Sequence, residues 1–125
     1  MNPYLAGGYH FRSLPEVASI PAAWRPLDRA VARWVIIHGG SPLLAQLAGW
    51  ASLAEGNGDS ALPLSGPAAG RHGMLALDEA QRATLLAEPM VGVPGEDAST
   101  AGTAAFIVDH EHFYLRRNFL YEVAV

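Results

Sequence analysis

The chain has 125 residues and a formal net charge of −4, and its 16% of charged residues compares with about 25% in an ordinary soluble domain. This length favours one domain over residues 1–125, with a core that needs no covalent crosslinks. The absence of cysteine excludes a disulfide framework, a zinc finger and a thiol nucleophile, and an acidic chain whose eight basic residues are all Arg is unlike a protein that follows a phosphate backbone.

The N-terminal segment, residues 1–24, is predicted to be irregular because Pro3, Pro15 and Pro21 interrupt any helical period. It has no basic region followed by an apolar run, so no targeting signal is visible. No apolar run in the sequence approaches the length needed to cross a membrane. We therefore expect a cytoplasmic protein that makes no membrane contact.

Two consecutive helices are predicted over residues 26–38 and 43–55. In the first helix the apolar residues recur at the spacing of one helix face, and Gly39-Gly40 ends it. Ser41-Pro42 then supplies a hydroxyl cap and a proline in the first turn of the second helix. The short connection makes the helices pack together, and we expect these side chains to form their contact: Val31, Trp34, Val35, Leu44 and Leu47.

The second half of the chain combines a third helix with two strands. Asp78 is predicted to cap a helix that runs to about Glu88. Two apolar runs, residues 104–108 and 112–116, flank a short polar turn and predict a β-hairpin. Loops are expected over residues 60–76 and 92–103, and residues 117–125 resemble the start of a further helix. The predicted fold is mainly α (α+β), a small helical domain of three to five helices with a C-terminal β-hairpin.

Three segments in this order carry a resemblance to a known family. They are Arg25–Ala30 with Arg33 one turn later, Leu53–Gly56 followed by Ala61–Leu64, and Phe106–Asp109 followed by Phe113–Arg117 and Tyr121-Glu122. Together they resemble the N-terminal domain of RecD, the alpha subunit of the RecBCD helicase–nuclease (exodeoxyribonuclease V). The resemblance covers residues 25–125.

The resemblance implies an accessory domain of an ATP-dependent 5′–3′ DNA helicase subunit that acts in double-strand break repair and recombination. In that family the domain docks onto RecC, so RecC-like and RecB-like subunits are the expected partners, and DNA is reached through the full complex. The chain has no phosphate-binding loop and no Lys. We therefore expect no catalytic, cofactor or metal residue here, with ATP and magnesium bound by motor domains that this chain lacks.

Five residues are candidates for the docking interface. Trp24 precedes the first helix and is predicted to be an exposed aromatic anchor. Ile107 and Tyr114 alternate with the residues that face the helices, so they are expected on the outer face of the hairpin. Arg116 and Arg117 are expected to pair with nearby carboxylates or to dock on a motor domain.

Two other functions remain open from the sequence. Arg116 and Arg117, with nearby aromatic residues, are also compatible with a small nucleic-acid-binding module. A stand-alone enzyme or ligand-binding domain has no catalytic constellation to support it. The run Asp109–His112 could offer metal ligands, but we interpret it as the polar turn between two strands.

Overall fold

Two helices joined by a tight glycine turn begin the fold in the computed structural model, which describes residues 20–65, 76–94 and 104–124. Helix α1 spans Pro26–Ile37 and helix α2 spans Pro42–Gly56, each within one residue of its prediction. The turn between them uses Gly39 at φ +92°, which a side chain would strain. Ser41 caps α2 by accepting a hydrogen bond from the Leu44 amide at 3.1 Å.

The rest of the described chain alternates short strands with two further helices. Strand β1 is Leu62–Pro63, helix α3 is Glu79–Leu86, strand β2 is Val91–Gly92, strand β3 is Phe106–Asp109, strand β4 is His112–Leu115 and helix α4 is Arg116–Ala124. Asp78 caps α3 as predicted, accepting from the Gln81 amide at 2.8 Å. The small α+β fold predicted from the sequence is thus confirmed.

The predicted hairpin is present as the centre of a larger sheet with the order β1-β4-β3-β2. β3 and β4 are antiparallel, with Val108 opposite Phe113, and β1 adds antiparallel to the outer side of β4. β2 lies parallel to β3 on the other side. β1 lies within the loop predicted over residues 60–76, and no strand was predicted at β2, since two-residue strands are too short to show an alternating pattern.

The core lies between α2 and one face of this sheet. Its fully buried large side chains include Leu44 and Leu47 from α2, Leu62 from β1 and Phe113 from β4. Phe113 stacks on Phe106 with ring centroids 5.4 Å apart. Helix α2 is therefore buried along most of its surface.

The rotation of α1 about its axis differs from the prediction. Trp34 and Val35 were both expected to contact α2, but only Val35 is buried, while Asp28 and Ala32 are fully buried beside it. Val31, Val35, Leu44 and Leu47 do share the core as predicted, whereas the expected contribution of Trp34 is wrong. The helix turns its small and polar side toward α2.

Asp28 supplies the physical reason for this rotation. Its carboxylate accepts hydrogen bonds from the Arg25 amide at 2.8 Å, from Arg25 Nη2 at 2.7 Å and from Ser52 Oγ at 2.6 Å. Arg25 Nη2 also donates to the Ser52 carbonyl at 2.9 Å. These contacts join the start of α1 to α2, and they compensate the carboxylate for the loss of water.

Trp24 is buried rather than exposed, so its assignment as an exposed anchor is wrong. Only 3% of its surface is accessible, and its ring meets Trp50 edge-on with centroids 5.7 Å apart. Gly49 makes this possible, because a Cβ at that position would overlap the Trp24 ring. The aromatic residue before α1 thus packs against the middle of α2.

The second face of the hairpin is also buried within the chain. Ile107 is 1% exposed and Tyr114 is 9% exposed, in a small cluster with Ala104, Ala61 and Phe119. The Phe119 ring of α4 meets Tyr114 edge-on at 5.3 Å. The predicted exposure of Ile107 and Tyr114 on an outer face is therefore wrong, because α4 folds back and covers the face that they form.

Several sequence predictions concern residues that the structure does not describe. Residues 1–19 of the predicted irregular segment and residues 66–75 and 95–103 of the two predicted loops lie outside the described ranges. Across the residues that are described, no helix is both long and apolar enough to cross a membrane.

Candidate protein-docking surface

Helix α1 presents a row of apolar side chains to solvent. Leu27 is 57% exposed, Trp34 is 43% exposed and Ile37 is 68% exposed, and Ala30 is exposed between them. Their spacing of three or four residues places them on one side of the helix. We call Leu27, Ala30, Trp34 and Ile37 the α1 stripe.

An apolar groove lies beside the middle of the α1 stripe, with a volume of about 540 Å³. One wall comes from α1, and the other comes from the hairpin and the start of α4. The described residues that line the groove are Ala30, Val31, Trp34, Ala105, Phe106, Leu115, Arg116 and Arg117. It thus combines an exposed helix face with a concave pocket, the arrangement that receives an anchoring side chain of a partner.

The Trp34 ring is held in place at this groove. It stacks on the His38 imidazole with centroids 4.3 Å apart and meets the edge of Phe106 at 6.5 Å. His38 Nδ1 lies 2.8 Å from the Trp34 carbonyl oxygen, which fixes the imidazole one turn further along the helix. Trp34 therefore offers a positioned aromatic face with little rotamer freedom left to lose on binding.

Arg116 and Arg117 lie where β4 passes into α4, at the rim of the groove. Arg116 Nη1 lies 3.5 Å from the Ala104 carbonyl, the outer limit of a hydrogen bond, and Arg117 forms an ion pair with Glu55 of α2. The Arg117 side chain is 74% exposed, so part of its donor set still faces solvent. Among the described lining residues these are the charged ones, and both are cations.

The structure thus brings only two of the five predicted interface residues to this surface. Arg116 and Arg117 line the groove, whereas Trp24, Ile107 and Tyr114 lie in the interior. The surface also contains Trp34, which the sequence pattern assigned to the contact between the first two helices. The available signal was that α1 is apolar on two sides, with Ala32 and Val35 on one and the α1 stripe on the other.

The polar turn at Asp109–His112 lies at the other end of the hairpin. Glu111 accepts from Ser65 Oγ and from Arg82 Nη2, each at 2.7 Å, which ties the turn to α3 and to the segment after β1. The Ser65 hydrogen bond, with the nearby Arg82 charge, lowers the pKa of Glu111. No group of three ligands suited to a metal occurs in the described part of the chain.

Comparisons of the chain with protein families, with curated proteins and with solved structures found no match.

Proposed function

We propose that this chain is a protein-docking domain, the N-terminal assembly domain of a RecD-like subunit. Its partner is a RecC-like subunit, in a cytoplasmic DNA helicase–nuclease that also contains a RecB-like subunit and serves double-strand break repair and recombination. ATP hydrolysis and DNA translocation belong to motor domains outside this chain. The role of this domain is to attach the RecD-like subunit to the RecC-like subunit.

The α1 stripe is the observation that supports this proposal. A short helix that turns Leu27, Trp34 and Ile37 to water leaves roughly half or more of each side chain exposed. A contiguous exposed apolar row beside a groove is typical of a protein interface rather than of an isolated surface, where such residues are scattered. The family resemblance names the partner that would cover it.

Nucleic-acid binding is the less well supported interpretation of the same surface. Trp34 could stack a base and Arg117 could meet a phosphate. However, the groove is lined by apolar side chains with only two cations among its described residues, and the chain as a whole is acidic. A phosphate-tracking surface needs a denser row of cations.

Co-purification with the RecC-like subunit encoded in the same genome tests the proposal. The wild-type chain should form a complex that survives size-exclusion chromatography. Trp34→Ala should weaken the complex by about tenfold or more, because removing a central aromatic anchor costs about 2 kcal/mol. Leu86→Ala is the matched control, since Leu86 is an equally exposed apolar side chain at 42% but lies on α3.

Equal weakening by Trp34→Ala and Leu86→Ala would contradict a docking role for the α1 stripe. Absence of any complex with the wild-type chain would contradict the assembly function itself. Thermal unfolding of both variants shows that each remains folded in the assay.

A further inference from the structure

The charged side chains that line the groove, among the described residues, are both cations. Arg116 and Arg117 line it, and the exposed charged residues within α1 are Arg29 and Arg33. The acidic residue of α1, Asp28, is buried on the opposite side and engaged by Arg25 and Ser52. An acidic chain therefore places two cations at this groove, one of which, Arg117, also pairs with Glu55.

We propose that the groove receives an acidic apolar segment of the partner, in which carboxylates flank an aliphatic or aromatic anchor. This rests on the proposed docking function and adds the chemistry of the segment that is bound. The anchor enters the groove beside the Trp34 ring, and its neighbouring carboxylates meet the guanidinium groups of Arg116 and Arg117. Arginine suits this role because its planar donor set pairs with a carboxylate in a defined orientation.

The existing ion pair of Arg117 with Glu55 leaves this role intact. A guanidinium has five N–H donors, and the Arg117 side chain is 74% exposed. A carboxylate of the partner can therefore add to the pair rather than replace it. Glu55 also holds the Arg117 side chain near the groove, which reduces the entropy lost on binding.

A second copy of this chain fits the surface less well. A symmetric dimer through the groove would bring the Arg116 and Arg117 side chains of both copies into one interface. Like charges brought together at an interface oppose association. The charge pattern thus favours a partner of opposite sign.

Selection of peptides against the wild-type chain tests the inference without the RecC-like subunit. The probe is a phage-displayed library of random peptides, counter-selected against the Trp34→Ala chain. The recovered sequences should be enriched in Asp and Glu next to Leu, Ile, Phe or Trp. Their affinity should fall as ionic strength rises, because the contacts with the guanidinium groups are solvent-accessible.

Arginine variants then identify the groups that recognise the carboxylates. Arg117→Gln should weaken a recovered peptide roughly fivefold, the effect of losing one partly exposed ion pair. Arg116→Gln should give a similar loss. Arg82→Gln is the matched control, since Arg82 pairs with Glu111 away from the groove and its loss should leave affinity unchanged.

The outcomes separate this inference from the proposed function. Recovered peptides without acidic enrichment, or with affinities insensitive to Arg116→Gln and Arg117→Gln, overturn the acidic-segment inference while leaving docking on the RecC-like subunit intact. The acidic-segment inference is also overturned if no recovered peptide prefers the wild-type chain to the Trp34→Ala chain. Binding of single-stranded oligothymidylate that is lost in Trp34→Ala would assign the groove to nucleic acid, and a concentration-dependent dimer lost in Trp34→Ala would assign it to a second copy.

Discussion

Replacing Asp28 should test the contact that sets the rotation of α1. The carboxylate is fully buried and accepts from the Arg25 amide, from the Arg25 guanidinium and from Ser52 Oγ. Asp28→Ala removes the acceptor and leaves the Ser52 hydroxyl and the Arg25 amide without this partner. The free energy of unfolding should fall by about 2–4 kcal/mol, below the upper range for a broken buried ion pair because the Arg25 side chain is 42% exposed and can be hydrated.

The charge of Asp28 should also make this contribution depend on pH. Burial alone raises the pKa of Asp28, but the hydrogen bonds from Arg25 and Ser52 outweigh it and lower the pKa below its ordinary value. A carboxyl group with a lowered pKa in the folded state stabilises the fold above its unfolded pKa, and that stabilisation disappears as pH falls through the folded pKa. Asp28→Asn should lack this dependence.

Urea unfolding followed by tryptophan fluorescence, repeated across acidic and neutral pH, measures both effects. The difference in the free energy of unfolding between wild type and Asp28→Asn should be largest near neutral pH. It should shrink as pH falls through the folded pKa of Asp28. A loss under about 0.5 kcal/mol for Asp28→Ala, the range of an ordinary surface change, would refute the reasoning. A pH-independent difference for Asp28→Asn would refute the electrostatic part.

Four further outcomes are expected. Gly49→Ala should destabilise the fold by about 1–3 kcal/mol in urea unfolding, because the added Cβ overlaps the Trp24 ring, and a neutral effect would contradict that packing. Trp24→Ala should cost about 3–5 kcal/mol but Trp34→Ala only about 1 kcal/mol, since one ring is buried and the other is 43% exposed; equal losses would contradict this difference. In an NMR titration, Ser65→Ala should raise the pKa of Glu111, and an unchanged midpoint would show that the Ser65 hydrogen bond does not lower it. The purified chain should show no ATP turnover, since it contains neither a phosphate-binding loop nor Lys, and measurable turnover would place a nucleotide site in this chain.

The elements that follow from local chemistry could be predicted from the sequence. Ser41 and Asp78 cap α2 and α3 because a side-chain oxygen reaches an amide only three residues away. The hairpin is likewise a local structure, formed by two apolar runs around a polar turn. Such contacts depend on neighbours in the chain, so the sequence pattern reports them directly.

The side of α1 that is buried could not be predicted in this way. It depends on Asp28 meeting Ser52, 24 residues further along the chain, and on Arg25 reaching the Ser52 carbonyl. Hydrophobic periodicity favoured the side with Trp34, but the buried polar network and the small Ala32 decide the packing. The exposed α1 stripe was consequently not predicted, because Trp34 at its centre is expected from the periodicity to face α2.

The hairpin shows the same limit at longer range. Alternation correctly separates Ile107 and Tyr114 from the core-facing residues. It cannot show that α4 returns to cover them through Phe119. Arg116 and Arg117 are the first two residues of α4, which follows β4 without a connecting loop. They lie at the surface because the chain turns at this point.

Hydroxyl-radical footprinting of tryptophan and leucine side chains, read by mass spectrometry, tests the docking role of the α1 stripe most directly. In the free chain Trp34 should be oxidised readily and Trp24 should be protected, as their exposures of 43% and 3% require. In the complex with the RecC-like subunit Trp34 should become protected, while Leu86 on α3 stays as reactive as before. Trp34 protected in the free chain, or equally oxidised in the free chain and in the complex, would contradict a docking surface on α1.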